Sequence, residues 1–168
     1  MEGDDADEWV EPPSHRVAAG VEILAPIEDV WALVCQLRRY DEWVESTIEV
    51  RSADEVAGMG ARWQERSRIS GVWLATIEWR VTEFVAPTRI AFEGTGVAMV
   101  RRLGFSIDLE AVAAGTHCEL TLWYSPRFGP IGFLLDLLTR SNVTNDQKRT
   151  VRSLAFLAEG RTGTPPPT

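Results

Sequence analysis

The stretch from Gly129 to Gly160, GPIGFLLDLLTRSNVTNDQKRTVRSLAFLAEG, constrains this chain more than any other. Pro130 suits the first turn of a helix, where its missing N–H leaves nothing unbonded. Gly160 suits the left-handed position just past a helix end. Between them lie about 30 residues, roughly 45 Å if they form one helix. In a chain of 168 residues that is long enough to lie across a whole sheet. The first half, with Ile131, Phe133, Leu134, Leu135, Leu137 and Leu138, is apolar nearly all round and needs cover on more than one side. A polar waist from Ser141 to Asp146 follows, and Thr144 with Gln147 has capping-box spacing. One helix with a soft waist and two shorter helices both satisfy this pattern.

The upstream chain reads as strands able to wrap such a helix. From Arg16 to Leu24, Val17, Ala19, Val21 and Ile23 alternate with the other face, the period of a half-buried strand. Ala25-Pro26 ends it. Glu28 and Asp29 favour a helix start that Val30, Trp31, Leu33 and Val34 carry to about Gln36, and Leu37 to Val44 predicts a second short helix. Six further strands follow: Ser46–Ala53, Ala61–Ser70, Val72–Val85, Thr88–Glu93, Val97–Glu110 and Thr116–Tyr124. They are divided by Gly58-Met59-Gly60, Gly71, Pro87, Gly94-Thr95-Gly96 and Ala114-Gly115. Strands on links this short are antiparallel neighbours. The expectation is an α+β fold, with a seven-stranded curved antiparallel sheet wrapped around a long C-terminal helix and two short helices after the first strand.

Charge is lopsided. The formal net charge is −8. Glu2, Asp4, Asp5, Asp7, Glu8 and Glu11 account for six of those charges, so the remaining chain stands near −2. So balanced a body predicts no strong attraction to nucleic acid or to an anionic membrane. Residues 1–14 read as a disordered acidic tail ending at Pro12-Pro13, residues 15–160 as one ligand-binding domain, and 161–168 as a flexible Pro-rich tail. The acidic start is the wrong charge for a secretory signal, and no apolar run approaches the ~20 residues of a membrane span. A cytoplasmic protein without stable membrane insertion is expected. Cys35 and Cys118 lack paired spacing and read as reduced, buried thiols.

Period-2 parity assigns the inside of each strand. On Ala61–Ser70, Trp63 and Glu65 point in because Arg62, Gln64, Arg66 and Arg68 must point out. The same rule turns Trp73, Ile77 and Trp79 inward on the next strand, Phe92 on its successor, Met99, Arg101 and Phe105 on Val97–Glu110, and Leu122 and Tyr124 on the last. Two charges, Glu65 and Arg101, thus fall on inward faces. A charge in an apolar interior costs several kcal/mol unless paired or hydrated. A solid core rarely holds such groups, whereas a small-molecule cavity does. Two blander arrangements stay open: a pair that only holds the sheet, or side chains that reach water at the strand ends. With Leu134 and Leu138 from the helix, these residues make the expected ligand-binding set.

The order and several strings resemble the helix-grip family of START domains, pollen-allergen-type carriers and polyketide cyclase/dehydrase-like proteins. VEILAPIEDVWALVCQLRRYDEWV is similar to its opening strand, Ala-Pro step and first helices. GMGARW, WRVTEFVAPTRIAFEG and LEAVAAGTHCELTLWY resemble its third-strand entry, its fourth-to-fifth strand segment and its last hairpin. The resemblance spans Arg16 to Gly160 and implies the helix-grip fold. In the family's strand order the third and sixth strands are three steps apart, roughly 14 Å, so Glu65 and Arg101 would meet through water or ligand.

Familiar catalytic constellations are missing from the sequence. There is no phosphate loop, no HExxH, no Gly-x-Ser-x-Gly and no metal-ligand spacing, so neither metal nor cofactor is expected. His15 and His117 are not placed as bases. Three readings follow. The first is a carrier of a hydrophobic small molecule (a lipid, polyketide or aromatic metabolite). The second is a polyketide cyclase/dehydratase-type enzyme in which Glu65 moves a proton, Arg101 stabilises an enolate and Tyr124 donates. The third is an interaction module whose apolar Ile131–Leu138 segment docks a partner or a second copy as a homodimer.

Overall fold

The computed structural model of the chain describes residues 15–69, 73–127 and 129–161, the side chains from 129 to 140 excepted. The acidic segment 1–14 and all of the Pro-rich end beyond Arg161 lie outside the described residues.

Seven strands form one antiparallel sheet: β1 (His15–Ile23), β2 (Thr47–Ala53), β3 (Arg62–Ile69), β4 (Trp73–Val85), β5 (Arg89–Thr95), β6 (Val100–Val112) and β7 (Gly115–Pro126). Their order is β1-β7-β6-β5-β4-β3-β2. Every sequential pair from β2 to β7 is therefore a hairpin, as the short links require. The helix α1 (Ile27–Val34) and a 3₁₀ turn (Leu37–Glu42) carry the chain from one sheet edge to the other. Glu28 and Asp29 sit in the first turn of α1 and face the positive end of its dipole. Val30, Leu33 and Val34, at helical spacing, are the residues it buries.

α2 (Gly129–Ala158) is one continuous helix, which settles the sequence's two alternatives. The helix runs unbroken through the polar waist. Past Ala158, the Gly160 N–H bonds to the Leu157 carbonyl at 3.0 Å and the Arg161 N–H to the Phe156 carbonyl at 3.1 Å. Gly160 has φ +70°, so this is a Schellman ending that a β-carbon would strain. Val151, Leu154 and Ala155 bury the second half of α2, which packs on β1 and β7. No helix among the described residues is long and apolar enough to cross a membrane.

The space enclosed by sheet and helices is divided. Beside α1 it is filled by rings. Tyr40 and Trp43 from the 3₁₀ turn and its end meet Trp63, Trp79, Phe92 and Phe105 from the sheet, with ring centroids between 4.4 and 6.5 Å apart. Most contacts are edge-to-face, the arrangement favoured by ring quadrupoles. The buried Tyr40 hydroxyl donates to the Val34 carbonyl at 2.8 Å, which anchors the plug to the end of α1. On the other side of the sheet, Trp123 lies flat on Gly104, where a β-carbon would stand 2.0 Å from the indole. Any other residue at 104 would push that ring away.

Candidate functional site

Away from the aromatic plug the interior is hollow. A cavity of about 550 Å³ lies between the sheet and the waist of α2. Its walls come from β3, β4, the loop into β6, β7 and one face of α2, and they are mostly apolar. Ile77, Trp79, Leu103 and Leu122 form the deep wall, while Trp73, Leu74 and Met99 stand at the opening and are 60%, 56% and 38% exposed. Val143, Asp146 and Gln147, spaced i, i+3, i+4, bring the polar waist over the cavity.

Glu65 is the buried charge of this site. It is 3% exposed, on the inward face of β3, and lines the cavity. Its neighbours on the same face, Trp63 and Ser67, donate to it: Trp63 Nε1–H to Oε2 at 3.1 Å and Ser67 Oγ–H to Oε1 at 2.6 Å. The Thr47 hydroxyl of β2 donates to Oε2 at 3.1 Å. All three donors are neutral, and no described cation bridges the carboxylate. A carboxylate accepts about four hydrogen bonds, so one lone-pair position on Oε1 is left over. Two further polar atoms of cavity-lining residues are buried without a protein partner, the Trp79 indole N–H and Gln147 Oε1. The cavity is thus bordered by the Glu65 carboxylate, the Gln147 amide and the Trp79 indole in otherwise mostly apolar walls.

The thirteen expected site residues divide. Glu65, Trp73, Ile77, Trp79, Met99, Leu122 and Tyr124 border the cavity. Trp63, Phe92 and Phe105 belong to the plug, although Trp63 still reaches the site through its bond to Glu65. The side chains of Leu134 and Leu138 lie outside the described residues. Arg101 is a correction: it is exposed and does not line the cavity. Val100 pairs with Pro126 and Arg102 with Ser125, so Arg101 is the extra residue of a β-bulge. A bulge reverses parity beyond it, turning Val100 inward and Arg101 outward. The Glu65–Arg101 arrangement, bridged or mediated, is thereby removed. Missed from the sequence were Asp146 and Gln147; their i+3 and i+4 spacing from the apolar Val143 was the available signal.

Tyr124 stacks on His15 across the β1–β7 pair, with centroids 5.2 Å apart. His117 pairs with Glu22 on the outer surface at 2.8 Å, away from the cavity. Burial pushes the Cys118 thiol up to about 12 and Cys35 up to about 11, so both stay protonated at neutral pH. A second hollow of about 470 Å³ runs along outward charges of β3–β5. There Gln64 donates to Glu78 at 3.2 Å and Arg80 pairs with Glu93 at 3.5 Å, the self-satisfied pattern of a solvated face.

Asp146 carries a testable consequence. Its carboxyl is held above the usual range, first by desolvation and then by the Glu45 carboxylate, with Arg149 opposing. The native state then binds this proton more tightly than the unfolded chain. Its contribution is favourable toward acid pH and lost as pH rises through the native value. Asp146→Asn should raise the unfolding free energy at pH 7, by less than about 1 kcal/mol because the group is half-exposed. The gain should vanish below the ordinary aspartate range, as thermal melts at both pH values would reveal.

Among curated proteins, none matches this chain in sequence. Solved structures share its fold. A protein of Thermus thermophilus has 22% identity and a TM-score of 0.69, covering 87% of this chain and 98% of its own. The Zhui aromatase/cyclase of a Streptomyces species has 18% identity and a TM-score of 0.66, with 86% and 93% covered. A Chromobacterium violaceum protein has 16% identity and a TM-score of 0.66, with 88% and 99% covered. Residues 14–159 match the family described as polyketide cyclase/dehydrase and lipid transport, nearly the whole of the described fold, and to that family the chain belongs.

Proposed function

We propose that this protein binds a hydrophobic small molecule, such as a lipid, polyketide or aromatic metabolite, in the cavity between its curved sheet and α2. The observation that carries the reading is the cavity itself: about 550 Å³ of mostly apolar space bordered by a few fixed polar atoms. That volume is in the range of small-molecule sites. The family description, which joins cyclisation with lipid transport, supports it at the level of ligand class. Apolar burial supplies affinity, and Glu65, Gln147 and Trp79 select a ligand with a matching hydroxyl or carbonyl. The test is mass spectrometry of the purified protein, native and then denatured with organic extraction. A discrete co-purifying apolar molecule supports carriage. An empty protein that also fails to take up a fluorescent fatty acid or polyphenol would sink the reading.

A second reading, a cyclase/dehydratase-type enzyme, is favoured by one observation: the buried carboxylate of Glu65 lies on the cavity wall with an unused acceptor position. Glu65 would carry the proton and Tyr124 would assist, without Arg101. Glu65→Gln separates the two. A carrier keeps its affinity within about tenfold, since one hydrogen bond is changed, whereas an enzyme loses 10²-fold or more in turnover, about what a general base contributes.

A further inference from the structure

We propose that the mouth of the cavity is a docking surface for an anionic phospholipid bilayer. The inference rests on where the cavity opens, and it holds whichever apolar molecule fills it.

Three chain segments form the mouth: the end of β3 with the start of β4, the loop before β6, and the end of β7. They are held together, since the Arg127 N–H bonds to the Met99 carbonyl at 2.9 Å and Gly96 packs against the Thr76 carbonyl. Trp73, Leu74 and Met99 project from this rim into solvent. An indole that is 60% exposed beside an exposed leucine leaves apolar area in water that folding alone does not require. Tryptophan is the side chain most favoured at a membrane–water interface, where its ring is buried and its N–H stays hydrated.

The charges around the lip share one sign. The same segments carry Arg66, Arg68, Arg101, Arg102 and Arg127, while residues 66–69, 73–76, 94–103 and 122–127 contain no carboxylate. Arg68, Arg101 and Arg127 are exposed and form no ion pair among the described residues. Some arginines elsewhere are paired, as Arg39 with Glu42, Arg80 with Glu93 and Arg149 with Glu45, whereas Arg16, Arg62 and Arg152 stand singly among the described residues on other faces, where no acid-free rim surrounds them. The acid nearest the cavity waist, Asp146, is half-buried beside Arg149. An apolar lip inside a basic collar fits lipid headgroups of opposite charge, each arginine adding to the attraction. Docking is peripheral, and it would set the cavity opening against the bilayer from which an apolar ligand partitions.

The test is flotation with vesicles of phosphatidylcholine alone and of phosphatidylcholine mixed with phosphatidylglycerol, at low and high salt. The protein should float with the mixed vesicles, at least about tenfold more strongly than with phosphatidylcholine, and release as salt screens the collar. Arg101→Glu with Arg127→Glu should lower that binding at least about tenfold, and Trp73→Ser should lower it at either salt. These positions are exposed, and circular dichroism checks that each variant is folded. Absence of flotation, equal flotation with both vesicles, or unchanged binding of the double variant overturns the proposal. Retention on an acidic protein but not on vesicles overturns it too, and assigns the collar to a protein partner. Ligand occupancy measured without vesicles reads the cavity separately, so the two ideas fail independently.

Discussion

Trp63→Ala is expected to lower the unfolding free energy by about 4 kcal/mol, the upper range for removing a buried aromatic. Trp63 is 2% exposed and touches Tyr40, Trp79, Phe92 and Phe105. Removing its ring opens the centre of the plug. It also takes one of three donors from Glu65, leaving a buried carboxylate less well held. In a domain of this size the thermal midpoint should fall by roughly 10 °C. Trp63→Phe separates the two effects: it keeps most ring contacts, loses the N–H, and should cost only about 1–2 kcal/mol. If Trp63→Ala cost under about 1 kcal/mol in urea melts, the aromatic rings would not form one packing unit.

Ala75→Trp has the opposite signature. Ala75 sits on β4 opposite Ser67, between Trp73 and Ile77 on the inward face, and lines the cavity. A tryptophan there grows into hollow space rather than into packed atoms. Affinity for an apolar ligand should drop at least about tenfold, a loss of 1.4 kcal/mol or more. The unfolding midpoint should hold or rise, because an apolar void is being filled. Lost binding in a folded protein places the ligand in this cavity. Full binding by Ala75→Trp, measured by fluorescence titration, would move the ligand elsewhere.

A body near −2 argues against attraction to an anionic surface only if its charges are evenly spread. Folding brings acid-free segments distant in sequence to the rim of the cavity, where Arg68 lines the opening and Arg101 and Arg127 follow the lining residues Val100 and Pro126. Over a Debye length of about 8 Å it is local charge that a headgroup feels.

The sequence by itself determined the elements and their order. The helix limits at Gly129 and Gly160, the Pro and Gly breaks between strands and the alternation along β3 and β4 are local properties, set by backbone preference and by period 2. So was the inward position of Glu65, because its neighbours Arg62, Gln64, Arg66 and Arg68 leave the strand one way to face. Tertiary structure alone decided three things. A bulge at Arg101 reversed parity, and a bulge depends on the partner strand, not on the residue that occupies it. The aromatics divided between plug and wall because Tyr40 and Trp43 fill only one end of the sheet, which needs the path of α1 and the 3₁₀ turn in space. The waist of α2 became a cavity wall because an unbroken helix carried Asp146 and Gln147 across the sheet. Parity and propensity act over a few residues, whereas a site is made where distant residues meet.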